Sequence, residues 1–169
     1  MRSGALSCPK CGGKLVVNAY YSRTVIESDG SSLKIPIMQT RCIEKACGVT
    51  HAILPHFVMP YKRYAAEVIE SVILSCEENG GLKYSDCPAE DKTIRGWKEQ
   101  LKNRGSAAVN HLQKILYDRY DRSISMIKLI SLSLIERLKM LIEAFGPVLC
   151  GSLIGSVNII LSRYSSGYI

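Results

Sequence analysis

At 169 residues the chain accommodates one or two small domains around a modest core and is short for a multidomain enzyme. A formal charge of +7 and a pI near 9.1 point to an anionic partner, nucleic acid first and a membrane surface second. Seven cysteines, an odd number in a chain this long, argue against a disulfide-stapled secreted domain. Met1–Ser7 also holds no apolar core of signal-peptide length, so the expected home is the reducing cytoplasm.

The first element is a knuckle, Cys8-Pro9-Lys10-Cys11-Gly12-Gly13, in which two thiolates two residues apart can reach one ion while the glycines allow a tight turn. Leu15 to Tyr21 reads as a strand, Ser28 to Ser32 as a turn, and Leu33 to Arg41 as a second strand with Ile35 and Ile37 in alternation. A second cysteine pair, Cys42 and Cys47, follows with four residues between. A third short strand, Val49 to Leu54, is stopped by Pro55. Four cysteines flanking a hairpin predict a structural zinc site with Cys8, Cys11, Cys42 and Cys47 as ligands, closed to water and therefore suited to structure rather than catalysis. His51 is the alternative to one of the thiolates. Four thiolates and Zn2+ together would lower the net charge to about +5, still basic. Cys76, Cys87 and Cys150 are scattered and read as small core residues.

Pro60 marks the start of a helix over Tyr61 to Asn79, with apolar residues at Tyr61, Tyr64, Ala65, Val68, Ile69, Val72 and Ile73, ended by Gly80-Gly81. After a short segment around Leu82 to Cys87, a second helix is predicted over Lys92 to Arg104, burying Ile94, Trp97 and Leu101 and stopped by Gly105. On this helix Lys92, Arg95, Lys98, Lys102 and Arg104 stand against the single acid Glu99, whereas the preceding thirty residues are acidic on balance. A long helix, a glycine turn, a short segment and a basic helix match the layout of a helix-turn-helix. In that arrangement Lys92, Thr93 and Arg95 would read base edges, and Lys98 and Lys102 would contact phosphates.

A polar amphipathic stretch, Ala107 to Tyr120, and a long apolar helix, Ile124 to Phe145, come next. The latter has a stripe of Ile127, Ile130, Leu134, Leu138, Leu141 and Phe145, a face for the core or for a partner helix. Gly146-Pro147 breaks it. The uncharged stretch from Ala144 to Ser162 has the length of a membrane span, but Pro147 and the diluting Gly151, Ser152, Gly155, Ser156 and Asn158 argue against insertion. The tail is expected to cover the helix-turn-helix or to support a homodimer.

Arg41-Cys42, Cys47, the string Thr50-His51-Ala52-Ile53-Leu54-Pro55, Phe57, Pro60-Tyr61-Lys62-Arg63-Tyr64 and Thr93-Ile94-Arg95-Gly96-Trp97 together resemble a bacterial family with a domain of unknown function. Its members join a zinc ribbon to a helix-turn-helix and are similar to the N-terminal parts of transposases. The resemblance covers roughly residues 5 to 104 and implies DNA binding in a mobile-element context. The chain departs from the family pattern in the wide Cys42–Cys47 spacing and in Gly96, where a basic residue is usual.

The expected architecture is thus a small α+β protein. A three-stranded zinc ribbon occupies residues 1–59, a helix-turn-helix residues 60–105, and a helical C-terminal region residues 106–169. No enzymatic activity is expected. After Gly105 the only carboxylates are Asp118, Asp121, Glu136 and Glu143, no Gly-rich phosphate loop with Lys-Ser/Thr is present, and His111 lacks a nucleophile partner. No small-molecule substrate is implied. The competing function is a protein-interaction adaptor that uses the ribbon and the apolar C-terminal helices.

Overall fold

The computed structural model describes residues 6–80, 87–146 and 151–164. It is a small α+β structure with a three-stranded antiparallel sheet N-terminal to its helices. Strand β1 (Leu15–Ile26) pairs with β2 (Ser32–Cys42), and β2 pairs with the short β3 (Thr50–Ile53). The β1–β2 turn closes through Glu27 N–H to Ser31 O, with Gly30 at φ +80°, a conformation that only glycine adopts without strain. Pro36 is tolerated in the middle strand because β3 pairs only with Met38–Arg41, leaving the Pro36 side of β2 an edge. Asn18 is an extra residue in the β1–β2 ladder, and its side-chain amide donates to Gln39 Oε1.

The helices are α1 (Ala66–Glu78), α2 (Asp91–Tyr120), α3 (Met126–Ile130), α4 (Leu134–Phe145) and α5 (Leu153–Tyr164). Their apolar faces meet in one core that includes Ile73, Ile94, Trp97, Leu112, Leu138 and Val157. Each fully buried leucine there, such as Leu112 or Leu138, stabilises the fold by about 1.5–3 kcal/mol through burial alone. A smaller cluster of Val25, Val58, Ala65 and Val68 fastens the turn end of the hairpin to α1.

Four expectations about the helices need correction. First, α1 starts at Ala66 rather than Tyr61, because the backbone before it is already paired: Ile26 N–H donates to Arg63 O, Ala65 N–H donates to Ile26 O, and Val58 bridges Ala65. Second, α2 does not stop at Gly105 but continues to Tyr120, a helix of 30 residues in all, about 45 Å long. Gly105 is a contact residue: a Cβ there would lie 2.9 Å from Leu134 Cδ2, so its missing side chain lets α4 approach. A single helix and a single core therefore bridge residues 105 and 106. The true end of α2 is Asp121, in the left-handed region, where its own N–H and that of Arg122 return to carbonyls of the last turn.

Third, the helix expected over Ile124 to Phe145 is two helices. Ser133 caps α4: Glu136 N–H donates to Ser133 Oγ, and Ser133 N–H donates to Glu136 Oε2 at 2.8 Å. Arg137 satisfies the carbonyls left open by the break, donating to Leu132 O and Ile130 O. Fourth, the expected stripe is consequently divided, with Leu138 and Leu141 buried and Ile127 and Ile130 exposed.

The tail residues that dilute the apolar pattern are used in packing. Ser152, Ser156 and Asn158 are buried, and α5 lies against α1, α2 and α4. Its first turn is held by Ser152 Oγ, which accepts from Gly155 N–H, and by Glu70 of α1, which accepts from Ile154 N–H. Among the described residues no helix is long and apolar enough to cross a membrane. Leu82 and Tyr84, expected between the two helices of the helix-turn-helix, and Cys150 lie outside the described residues.

Candidate metal centre

Two backbone turns bring four sulfurs together at one end of the sheet. In the first, Cys8 N–H donates to Gly13 O and Gly12 N–H returns to Cys8 O, with Gly12 at φ +74°. In the second, Cys47 N–H and Gly48 N–H both donate to Glu44 O. The hairpin sets the two turns side by side, since Leu15 pairs with Cys42 and Ile43 N–H donates to Lys14 O. Four residues between Cys42 and Cys47 are thus accommodated by a turn closed on Glu44.

The ligand atoms of Cys8, Cys11, Cys42 and Cys47 all lie within 4.8 Å of one another. Cys8 Sγ is 3.8 Å from Cys47 Sγ, and Cys11 Sγ is 3.5 Å from Cys42 Sγ. A tetrahedral thiolate site with metal–sulfur bonds of about 2.3 Å has edges of about 3.8 Å. All four cysteines are free, and the donor set suits a thiophilic cation. The cluster could therefore hold a metal ion. The small apolar group of Cys8, Leu15 and Cys42, with Cys47 against it, keeps one side dry.

Hydrogen bonds and charge explain how the thiols share this space. Burial pushes the Cys8 thiol up, but backbone N–H groups of Lys10 and Cys11 and the His51 ring point at its sulfur and hold it at about 6. For Cys11 the Gly13 N–H favours the thiolate, yet the neighbouring Cys42 sulfur, burial and the other sulfurs push it to about 12. Burial also raises Cys42, against the Glu44 N–H. One thiolate forms readily and its neighbours resist, a conflict that a bound cation removes.

His51 Nε2 stands 3.3 Å from Cys8 Sγ, outside the group of four. The geometry makes it a hydrogen-bonding neighbour of Cys8, a role that orients a ligand and tunes its basicity. Gly13 is a further member that spacing alone does not single out. A Cβ there would collide with Glu44 Cγ and sit 3.2 Å from Cys42 Sγ and 3.3 Å from Cys11 Sγ. The signal was present in the doubled glycine after Cys11, which carries a turn at Gly12 and a close approach at Gly13.

The candidate DNA-contacting residues lie elsewhere, on the first three turns of α2. Lys92, Thr93, Arg95 and Lys102 are exposed and Lys98 is half-buried, while Ile94, Trp97 and Leu101 face the core. Trp97 is fixed edge-on to Tyr64 with ring centroids 5.0 Å apart. Arg95 makes an exposed 3.9 Å ion pair with Asp91, one turn earlier. Such a pair contributes little and is easily exchanged for another anion.

A family model for a domain of unknown function (DUF6431) matches residues 8–97, more than half of the chain. The chain belongs to this family. The DUF6431 match opens at Cys8, contains all four cysteines and the whole sheet, and ends at Trp97. Lys92, Thr93 and Arg95 fall inside it, whereas Lys98 and Lys102 lie beyond it. No curated protein and no solved structure matches the chain.

Proposed function

We propose that this DUF6431 protein is a non-catalytic, zinc-dependent DNA-binding protein whose four-cysteine cluster is a zinc ribbon and whose α2 is the recognition helix of a helix-turn-helix. Zinc is the cation of choice because four thiolates at tetrahedral separations leave no open coordination position, the mark of a structural site. The observation supporting DNA is the basic N-terminal half of α2. Lys92, Thr93 and Arg95 project from a helix that is anchored from behind by Ile94, Trp97 and Leu101. A helix so presented can enter a major groove with its first turns against base edges. Lys98 and Lys102, further along, contact phosphates. The resemblance to transposase N-terminal regions makes a transposable element the setting, with this chain an accessory, a regulator or a truncated transposase, at work in the cytoplasm.

Arg95→Ala should weaken binding to a selected site by about 1–3 kcal/mol, with relaxed specificity, while Lys102→Ala should weaken binding to all sequences alike. Equal behaviour of the two variants in competition binding against random duplex would refute this division of labour.

A second reading, an interaction adaptor, draws on a different observation. Tyr117, Met126, Ile127 and Ile130 form an exposed apolar group at the far end of α2 and on α3, with Ile127 84% exposed. On this reading a homodimer or another partner would dock there, since α4 and α5 turn most of their apolar residues into the core. Salt separates the readings: phosphate binding falls steeply with ionic strength, whereas an apolar interface hardly responds.

A further inference from the structure

A broad cleft stands away from α2. It lies between the sheet and the turn leading into α1, has a volume of about 1310 Å3, and includes Tyr21, Arg23, His51, Tyr61, Lys62 and Arg63 among its walls. Small-molecule pockets span roughly 300–1,000 Å3, so this open trough fits a length of polymer better than a compact ligand. None of its lining residues is Asp or Glu. Among the described residues, no carboxylate forms an ion pair with Arg23, Lys62 or Arg63.

The turn that forms one wall is built to project outward. Tyr61 holds a left-handed backbone at φ +60°, costly for a bulky residue, while its ring is fully exposed and gains no packing in return. Arg23 braces the turn by donating to Met59 O at 2.6 Å and to Lys62 O at 2.5 Å. Lys62 is crowded by burial and by the charge of Arg104, so an anion there would relieve a repulsion.

We propose that this cleft is a second nucleic-acid site, taking single-stranded DNA with its phosphates on Lys62 and Arg63 and its bases stacked on Tyr61 and Tyr21. Exposed aromatic rings beside a positively charged, carboxylate-free trough are what a strand of unpaired nucleotides needs, and the combination tolerates any base sequence. A duplex, its bases already stacked, offers nothing to Tyr61. Arg23 is a positioning residue, since its guanidinium is engaged with the turn. The choice of DNA over RNA rests on the duplex reading of α2; the cleft itself does not.

The test uses the full-length metal-loaded chain and the anisotropy of a labelled oligothymidylate, with a random duplex measured in parallel. Tyr61→Ala should weaken oligothymidylate binding about fivefold or more, and Tyr61→Phe should retain it. Arg63→Glu should weaken it and lower the slope of log affinity against log salt by about 0.7. Both should leave duplex binding unchanged, and a paired Lys92→Ala/Lys102→Ala variant should do the reverse. Unaltered oligothymidylate binding in both Tyr61→Ala and Arg63→Glu would overturn the proposal, as would equal loss in the α2 variant. Tighter binding of oligouridylate would overturn the assignment to DNA. A parent protein that binds oligothymidylate but no duplex would count against α2 and, with the Tyr61→Ala and Arg63→Glu losses in place, support the cleft.

Discussion

Replacing Gly13 with alanine probes the metal centre without touching a ligand. The added methyl would stand 3.2 Å from Cys42 Sγ and 3.3 Å from Cys11 Sγ, and it would overlap Glu44 Cγ. Glu44 is exposed and its flexible side chain can swing aside. In a metal-loaded cluster the sulfurs could not, because coordination would fix them on one side and their backbone N–H donors on the other. Each must then yield a few tenths of an ångström along a metal–sulfur bond, a disturbance of the kind that costs about 10- to 100-fold in metal affinity, or about 1.4–2.7 kcal/mol. Gly96→Ala is the matched control, since a methyl there meets nothing within 4 Å. Competition against a chromophoric chelator, with both variants folded by circular dichroism, reads the difference. Equal metal affinity in Gly13→Ala and the parent protein would refute the close-approach argument.

Three further outcomes are expected. Gly96→Ala itself should raise stability by about 0.5–1 kcal/mol in urea unfolding, because an exposed glycine inside a helix costs that much relative to alanine. Ser133→Ala should lower stability by about 1 kcal/mol through loss of the capping box. The Ser133 backbone and hydroxyl bonds hold the Glu136 carboxyl below its ordinary range, so its contribution is full above the ordinary glutamate value and is lost as pH falls through the lowered one; the gap between the two proteins in parallel acid titrations should narrow by the hydroxyl's share, since alanine keeps the backbone N–H. Metal affinity should climb with pH through neutrality, since Cys11 and Cys42, both raised, must each lose a proton on binding, whereas Cys8 at about 6 has already lost its own. Calorimetry in buffers of differing ionisation enthalpy counts those protons, and zero release at neutral pH would contradict the assignment.

Much of the N-terminal half was legible because its signals are local. Paired cysteines, the turn residues Ser28 to Ser32 and alternating Ile35 and Ile37 specify a hairpin with a cluster at one end, and the sheet and the four sulfurs lie where that pattern puts them. Helix ends were harder. Gly105 has the chemistry of a stop, yet a contact with Leu134, twenty-nine residues later, makes it an interior position that no local pattern encodes. Pro60 has the chemistry of a start, but the backbone after it is committed to Ile26, a partner far back in the chain. The break at Ser133 is different, because Ser-Leu-Ile-Glu is a capping box in plain sequence; a continuous apolar stripe from Ile127 to Phe145 masked it. The Pro60–Arg63 wall of the cleft depends on Arg23 reaching across from β1, which only the folded chain shows.

The most direct measurement is native mass spectrometry of protein purified without added metal, alongside Cys8→Ser and Cys76→Ser variants. The account predicts one zinc ion per chain, lost in Cys8→Ser and kept in Cys76→Ser, where the cysteine is buried among the helices away from the cluster. A folded, metal-free parent protein, or equal zinc in the parent and Cys8→Ser, would contradict it.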